Sequence, residues 1–512
     1  MAWNYERSKK RLADEAKRLD KAGLTVTRLT REIDLANLAT TDTRLVTGVH
    51  LYADITNLDE LLLDPVQQRE DYRRIYRTLH LTRRELRRII QSVFCGDKIQ
   101  VQGAKFHGLL FRPYNDPETM AADAVMAALT IDAALTAAFS AVFPSYPELI
   151  PAIGLDLGDC LVANIGMRGD RELISVGNAA NNAAKILRGN RISVGSTLYD
   201  ALPTDLQEWF SKSGKNYRLD PSTVDDIETL IREEGFSWTL QSSVDNYAAD
   251  TDNLPLSDIS IEDVREKIDL QRLGPSRAKT CNAATIFVDL DGYTKLVSDL
   301  DGDTDALVQA VKLLHLFRYE LRQVTENDCD GIALQHQGDR LQALLHDSKA
   351  DDDDDVRENA VTLAIAYNSS VEEVINLHHK DIVGTVHVAA GGAFGKALVG
   401  KLGTKGDMDP VCIGKATIKA ENLQLGVHGN QLAITERMYE AITDDATAEQ
   451  FTKQDDGHYE ATGVTFLSLE DAEDTTAAKT ATAAGYTSAG AITIGLRAPA
   501  SAPLHVTRPY AP

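Results

Sequence analysis

Apolar and polar positions alternate with a period of two along GVHLYADI (48–55) and AATIFVDL (283–290), and both runs are rich in β-branched and aromatic residues. That pattern predicts β-strands. Shorter alternating runs flank Gln102-Gly103 and Gln337-Gly338. Each predicts a hairpin whose turn uses the conformational freedom of glycine. Elsewhere the apolar spacing is that of long helices, as in QREDYRRIYRTLHLTRRELRRIIQSV (68–93) and VRENAVTLAIAYNSSVEEVINLHH (356–379). Each copy therefore reads as alternating strands and helices.

The pattern occurs twice. Asp54 precedes Ala104 by 50 residues, and Asp289 precedes Asp339 by 50. Downstream, GLDLGDCLVANIG (154–166) matches GGAFGKALVGKLG (391–403), and ISVGNAANNAAKIL (174–187) matches VCIGKATIKAENL (411–423). The offset is 235 residues at the aspartates (289 − 54) and 237 at the later glycines (414 − 177). Four blocks in one order at one offset indicate a domain duplication. The expected division is a helical extension over 1–45 packed on the first copy, domains at 46–242 and 276–472, a polar linker at 243–275, and a low-complexity tail at 473–512.

Composition narrows the function. A formal charge of −24 opposes nonspecific nucleic-acid binding, which depends on cations neutralising phosphates. The five cysteines are odd in number, widely spaced and without a CxxC pair, so a reduced compartment is expected. No run approaches eighteen consecutive apolar residues, and the opening residues lack a signal peptide's apolar stretch. The expectation is a cytoplasmic protein that neither crosses a membrane nor binds nucleic acid.

Side chains two apart on a strand share a face, so His50, Tyr52 and Asp54 point one way, as do Phe287 and Asp289. A carboxylate ending an apolar strand is costly to bury unless it is paired or metal-bound. Adjacent strand ends would bring Asp289 to Asp339, where hard oxygens suit two Mg²⁺ or Mn²⁺ ions. Ions about 4 Å apart suit displacement at phosphorus. Alone, Asp289 reads as a helix N-cap and Asp339 as a turn aspartate. Their recurrence within the repeat, opposite Asp54 and Ala104, favours metal binding.

These blocks resemble the class III adenylyl and guanylyl cyclase family. Its motif F-x-D-h-x-G-F-T-x-L is matched from Phe287 to Leu296, its G-D hairpin by Gly338-Asp339, and its G-[DN]-x-V-N-x-A-x-R block from Gly177 to Lys185. The resemblance covers both repeats. It implies an α+β fold of two tandem ferredoxin-like (βαββαβ) domains paired as an intramolecular pseudo-heterodimer, with a homodimer or exchange between chains left open. It also implies a divided site. The second copy would hold two metal ions on Asp289 and Asp339, with the Leu290 carbonyl as a further ligand. Backbone N–H groups of Asp291, Gly292, Tyr293 and Thr294 would cradle a nucleoside triphosphate. From the first copy, Asn181 would orient the ribose and Lys185 would offset charge at the α-phosphate.

Departures from the family pattern assign the halves. Ile418 and Asn422 replace its asparagine and arginine in the second copy, and Ala104 replaces its second metal aspartate in the first. One site is therefore expected to work and its twin to be dead. Lys185 stands where the family has arginine, a point charge in place of a planar fork. The family's base-reading positions fall on Gln100 and Ile174, and neither purine-reading pair is present. Tyr52, in V-H-h-Y-x-D, resembles the bacterial pyrimidine cyclases of the Pycsar antiphage system. That resemblance implies conversion of UTP to cUMP, then CTP or ATP as alternatives, with the product read by a separate effector. A noncatalytic pseudocyclase regulator is the other class of answer. GG[DE]EF is missing from the hairpin, which opposes a diguanylate cyclase.

Three further features have plainer readings. Arg73, Arg74, Arg77, Arg83, Arg84, Arg87 and Arg88 read as a solvated helix face paired with acids. The run Asp351 to Asp355 suits a helix N-terminus. Gly391, Gly392 and Gly395 read as structural, since no GK[ST] follows.

Overall fold

The computed structural model describes residues 3–470, apart from 31–32, 59–68, 168–169, 188–190, 265, 301–302, 348–353, 378–383 and 405. The expected tail at 473–512 lies outside the described residues, as do Asp351 to Asp353.

Two nine-stranded sheets repeat one topology. The first contains β1 (Thr25–Arg28), β2 (Asp42–Ile55), β3 (Asp97–Gln102), β4 (Lys105–Leu110), β5 (Pro151–Met167), β6 (Asp170–Val176), β7 (Arg191–Val194), β8 (Ser211–Ser213) and β9 (Asn216–Leu219). The second contains β10 (Ser260–Asp263), β11 (Arg277–Asp291), β12 (Ile332–Gln337), β13 (Arg340–Leu345), β14 (His387–Thr404), β15 (Asp407–Ile413), β16 (Gln431–Ile434), β17 (Thr452–Lys453) and β18 (Tyr459–Thr462). Their orders are β3-β4-β2-β5-β7-β9-β8 and β12-β13-β11-β14-β16-β18-β17. In each, strand, helix, hairpin, helix and strand follow the βαββαβ path. Helices Arg69–Arg88 and Pro117–Ala133 serve the first sheet, and Thr304–Gln323 and Asp354–Ser369 the second. The hairpin turns carry Gly103 at φ 56° and Gly338 at φ 69°, where a side chain would be strained.

The halves exchange parts. The β5–β6 arm buries Leu161, Ile165 and Ile174 in the core of the second half. The β14–β15 arm buries Leu398, Leu402 and Val411 in the core of the first. Two reciprocal hydrogen bonds seal the middle, Gln100 Nε2 to the His336 carbonyl and Gln335 Nε2 to the Val101 carbonyl. Each donor sits 235 residues from the other (335 − 100), as in a contact across a two-fold axis.

The flanking helices differ from the sequence expectation. Helix Tyr5–Ala22 packs on the second half, not the first. Arg11 pairs with Glu320 at 2.6 Å and Asp328 at 2.8 Å, and Ser8 Oγ donates to Glu320 at 2.5 Å. The 243–275 stretch is no simple linker. Helix Leu240–Asn253 covers the first half, with Ser243 Oγ donating to Glu85 at 2.6 Å and Arg84 pairing with Asp250 at 2.9 Å. Trp3 and Ser8 recur as Trp238 and Ser243, again 235 residues on (238 − 3), so the repeat includes a docking helix.

The arginine helix is not a solvated face. Arg77 and Arg83 are 7% and 5% exposed, and Arg83 donates to the Gly103 carbonyl. Helix Pro117–Val142 has the length and hydropathy of a membrane span, but 61% of its most apolar window is buried inside the protein.

Candidate functional site

β11 carries Asp289 at its end, and β13 runs antiparallel beside it with Asp289 opposite Arg340. The Leu290 N–H donates to the Asp339 carbonyl at 3.0 Å, tying the two strand ends together. Asp289 and Asp339 are 7% and 8% exposed. Two nearly buried carboxylates at adjoining strand ends form an all-oxygen donor set that fits one or two hard divalent cations, with water and phosphate oxygens completing the shell. Among the described residues no cluster of three or more His, Cys, Asp or Glu is poised for a metal.

Gly292 (φ 80°) turns the chain into helix Tyr293–Asp299. Asp291 accepts the Gly429 N–H at 2.7 Å. Tyr293 is 1% exposed and its hydroxyl donates to the Ala310 carbonyl at 2.7 Å, so its side chain belongs to the core. Only the backbone of Asp291 to Thr294 is left for the expected cradle.

Helix Tyr293–Asp299 lies against helix Asn178–Lys185 of the other half. A cleft of about 280 Å³ opens beside them, lined by Gly177, Asn178 and Ala179 on one side and Val297, Ser298 and Leu307 on the other. Helix Asn178–Lys185 sits tightly on its own sheet, because a Cβ at Gly154 would lie 2.1 Å from the Ala183 carbonyl. Asn181 Oδ1 is buried without a hydrogen-bond partner among the described residues. Lys185 is half-buried; burial lowers the pKa of its ammonium, and no acid pairs with it among the described residues. An unpaired cation and an unpartnered amide on one helix suit an anionic, hydroxyl-bearing ligand.

The expected base readers fare differently. The Gln100 amide is committed, donating to His336 and accepting from Gln102 at 3.0 Å. Ile174 is 2% exposed and packed in the interdomain core, because its strand is part of the exchanged arm. Neither presents a reading group. Tyr52 is 4% exposed and stacks on His107, with ring centroids 4.1 Å apart.

The twin site is closed by charges the sequence did not reveal. Glu421, at the position of Ala184 in the duplicated helix, pairs with Arg340 at 2.9 Å. Burial opposes its ionisation, but Arg340 and Lys105 hold its carboxyl below the usual range. Burial raises Asp54, with Lys105 opposing that rise and Glu421 adding to it. Asp54, Lys105, Glu421 and Arg340 thus form an alternating charge group across the interface. The cavity beside Ala104 is only about 10 Å³.

No family model matches the chain. A uridylate cyclase from Pseudomonas aeruginosa is 28% identical over 460 residues, 86% of each chain. A uridylate cyclase from a Rhizobium species is 24% identical over 420 residues, 76% of this chain and 77% of the relative. The crystal structure of a class III adenylyl cyclase-like ATP-binding protein from Pseudomonas aeruginosa superposes with a TM-score of 0.78 at 24% identity, over 92% of this chain and all of that one. With the duplicated βαββαβ fold, these likenesses make the chain similar to class III nucleotidyl cyclases. In sequence it is similar to bacterial proteins named uridylate cyclases.

Proposed function

We propose that the protein converts UTP to 3′,5′-cyclic UMP and pyrophosphate, using one site built from both halves. The observation carrying this reading is two nearly buried carboxylates, Asp289 and Asp339, at adjoining strand ends, with the helix that follows Asp289 lying against the other half's helix, which bears Asn181 and a Lys185 that no acid pairs with among the described residues. The relatives named as uridylate cyclases support the choice of base.

Asp289 and Asp339 would hold two Mg²⁺ or Mn²⁺ ions, with the Leu290 carbonyl as a further ligand. Bound there, such ions lower the pKa of the ribose 3′-hydroxyl and offset charge on the phosphates. Asn181 Oδ1 accepts from the ribose and fixes its pose. Lys185, desolvated and without an acid partner among the described residues, meets the charge that grows on the α-phosphoryl oxygens as the 3′-oxygen attacks. The new bond joins O3′ to the α-phosphorus, and the α–β bridging bond breaks to release pyrophosphate. N–H groups from Asp291 to Thr294 steady the leaving phosphates. Tyr52 lies on the base side. The product would act in the cytosol as a signal for a separate effector in antiphage defence.

The test is purified protein incubated with UTP, CTP, ATP and GTP in Mn²⁺, with products resolved by chromatography. Cyclic UMP should predominate. Lysine in place of the family's arginine favours a second reading, a regulator that binds nucleotide without turnover. A melting temperature raised by nucleotide, with no cyclic product from any of the four, would select it.

A further inference from the structure

One row of side chains separates the two halves more sharply than their metal ligands do. Gln100, His107, Tyr52 and Gly154 lie side by side across β3, β4, β2 and β5. The same row in the second half reads Gln335, Gln342, Phe287 and Gly391. The outer members are the same residue types, and the inner pair differs.

In the first half the His107 and Tyr52 rings lie nearly parallel, 13° apart. His50, two residues before Tyr52 on the same strand face, joins His107 through Nδ1 to Nε2 at 2.9 Å. Ala183 and Ala184, from the helix that bears Asn181 and Lys185, pack against Tyr52. The tyrosine ring is thus pinned between an imidazole and that helix. In the second half Thr285 and Gln342 replace the histidines, and the Arg340 guanidinium covers Phe287 at 4.2 Å.

Core stability does not call for such a pair. His50 and His107 are 0% and 4% exposed, and burial keeps both imidazoles neutral. His50 Nε2 is buried without a partner among the described residues. A buried polar atom left unpaired costs stability, so an apolar pair would serve packing better. An aromatic ring held in one orientation instead offers a preorganised contact, because little freedom remains to be lost when a ligand meets it.

We propose that His107, oriented by His50, is a positioning residue for base selection that fixes the Tyr52 ring and hydroxyl against the pyrimidine. This rests on reading the first half as the base-recognising half. The protein's other half supplies the variants: His107→Gln and His50→Thr install side chains that the same row already accommodates. His107→Phe keeps a stacking ring and loses the imidazole.

KM and kcat for UTP and CTP, with equilibrium affinity for each nucleotide, test the idea. His107→Gln should raise KM for UTP about threefold to tenfold, the range expected for one stacking contact, with kcat within about twofold. The UTP-to-CTP preference should narrow, and His107→Phe should recover most of it. An unchanged preference in His107→Gln, or an equal fall in kcat for both nucleotides, would overturn the platform alone. Wild-type protein that neither binds nor cyclises UTP would overturn the base reading before any variant is made, and the platform with it.

Discussion

The two halves share strand order, hairpin glycines and a docking helix, yet chemistry is divided between them. The second half has an acid at both strand-end positions, Asp289 and Asp339, and ties its helix to β13 through Glu421 and Arg340. The first has lost one acid to Ala104, and its helix offers Ala184, Asn181 and Lys185. A duplicated fold therefore fixes where groups can stand, and a handful of substitutions decide which groups stand there. At matching places the second half's helix carries Glu421, grouped with Asp54, Lys105 and Arg340, and the first half's helix carries the uncharged Ala184.

The sharpest way to break this contrast is to remove matching carboxylates. Asp339→Ala should lower cyclic-product formation about a thousandfold or more, the loss expected when a metal-bearing group is deleted. Asp54→Asn should leave it within about twofold. Equal losses in one assay would erase the division of labour. Next in size, Lys185→Ala should cut kcat about a hundredfold. Lys185→Arg should match or exceed the wild type, since a planar fork can bind phosphate through two bonds. Full turnover in Lys185→Ala would remove that residue from the mechanism.

The docking helices extend the contrast to stability. Arg11→Ala leaves Glu320, whose side chain is 0% exposed, with the Ser8 and Ser370 hydroxyls but without its guanidinium, and should cost about 3 kcal/mol in urea denaturation. Lys312→Ala breaks only a bridge to the largely exposed Asp20 and should cost less than about 1 kcal/mol. Similar losses would mean that the helix is not anchored through its buried acids.

Acid probes the histidine pair. Burial lowers His50 from 6.5 to about 3 and His107 well below 6.5. The unfolded chain binds these protons near pH 6.5 and the folded one does not. The stability they contribute is therefore whole above pH 6.5 and falls as pH drops towards 3. The double variant His50→Thr, His107→Gln should flatten that decline by about 1 kcal/mol per pH unit for each proton removed. Denaturation midpoints at pH 7 and pH 5 would check it, and an unchanged slope would contradict the neutral pair.

Much of this was legible in the sequence because the duplication prints each element twice. The period-two runs became β2 and β11, and the Gln-Gly dipeptides became positive-φ turns. The carboxylates at 289 and 339 came to adjoining strand ends. Other features were hidden for physical reasons. Trp3 and Trp238 mark a repeated helix, but a polar surface stripe made residues 243–275 look like a connector. Equivalence in sequence also does not say which half a helix docks on. Glu421 and Arg340 were missed because an ion pair between elements 81 residues apart (421 − 340) leaves no local pattern. Tyr293 fits a cyclase motif, yet its hydroxyl serves the Ala310 carbonyl.

The crossed docking of helix Tyr5–Ala22 has a consequence for synthesis. Its buried Leu12 and Leu19 and its partner acids Glu320 and Asp328 are separated by some three hundred residues of chain. On a ribosome, the helix waits through translation of the whole first half with that leucine stripe unburied. A nascent chain released before Asp328 would carry it still exposed, a ready target for chaperones and proteases. The helix finds its seat only after those distant acids have emerged.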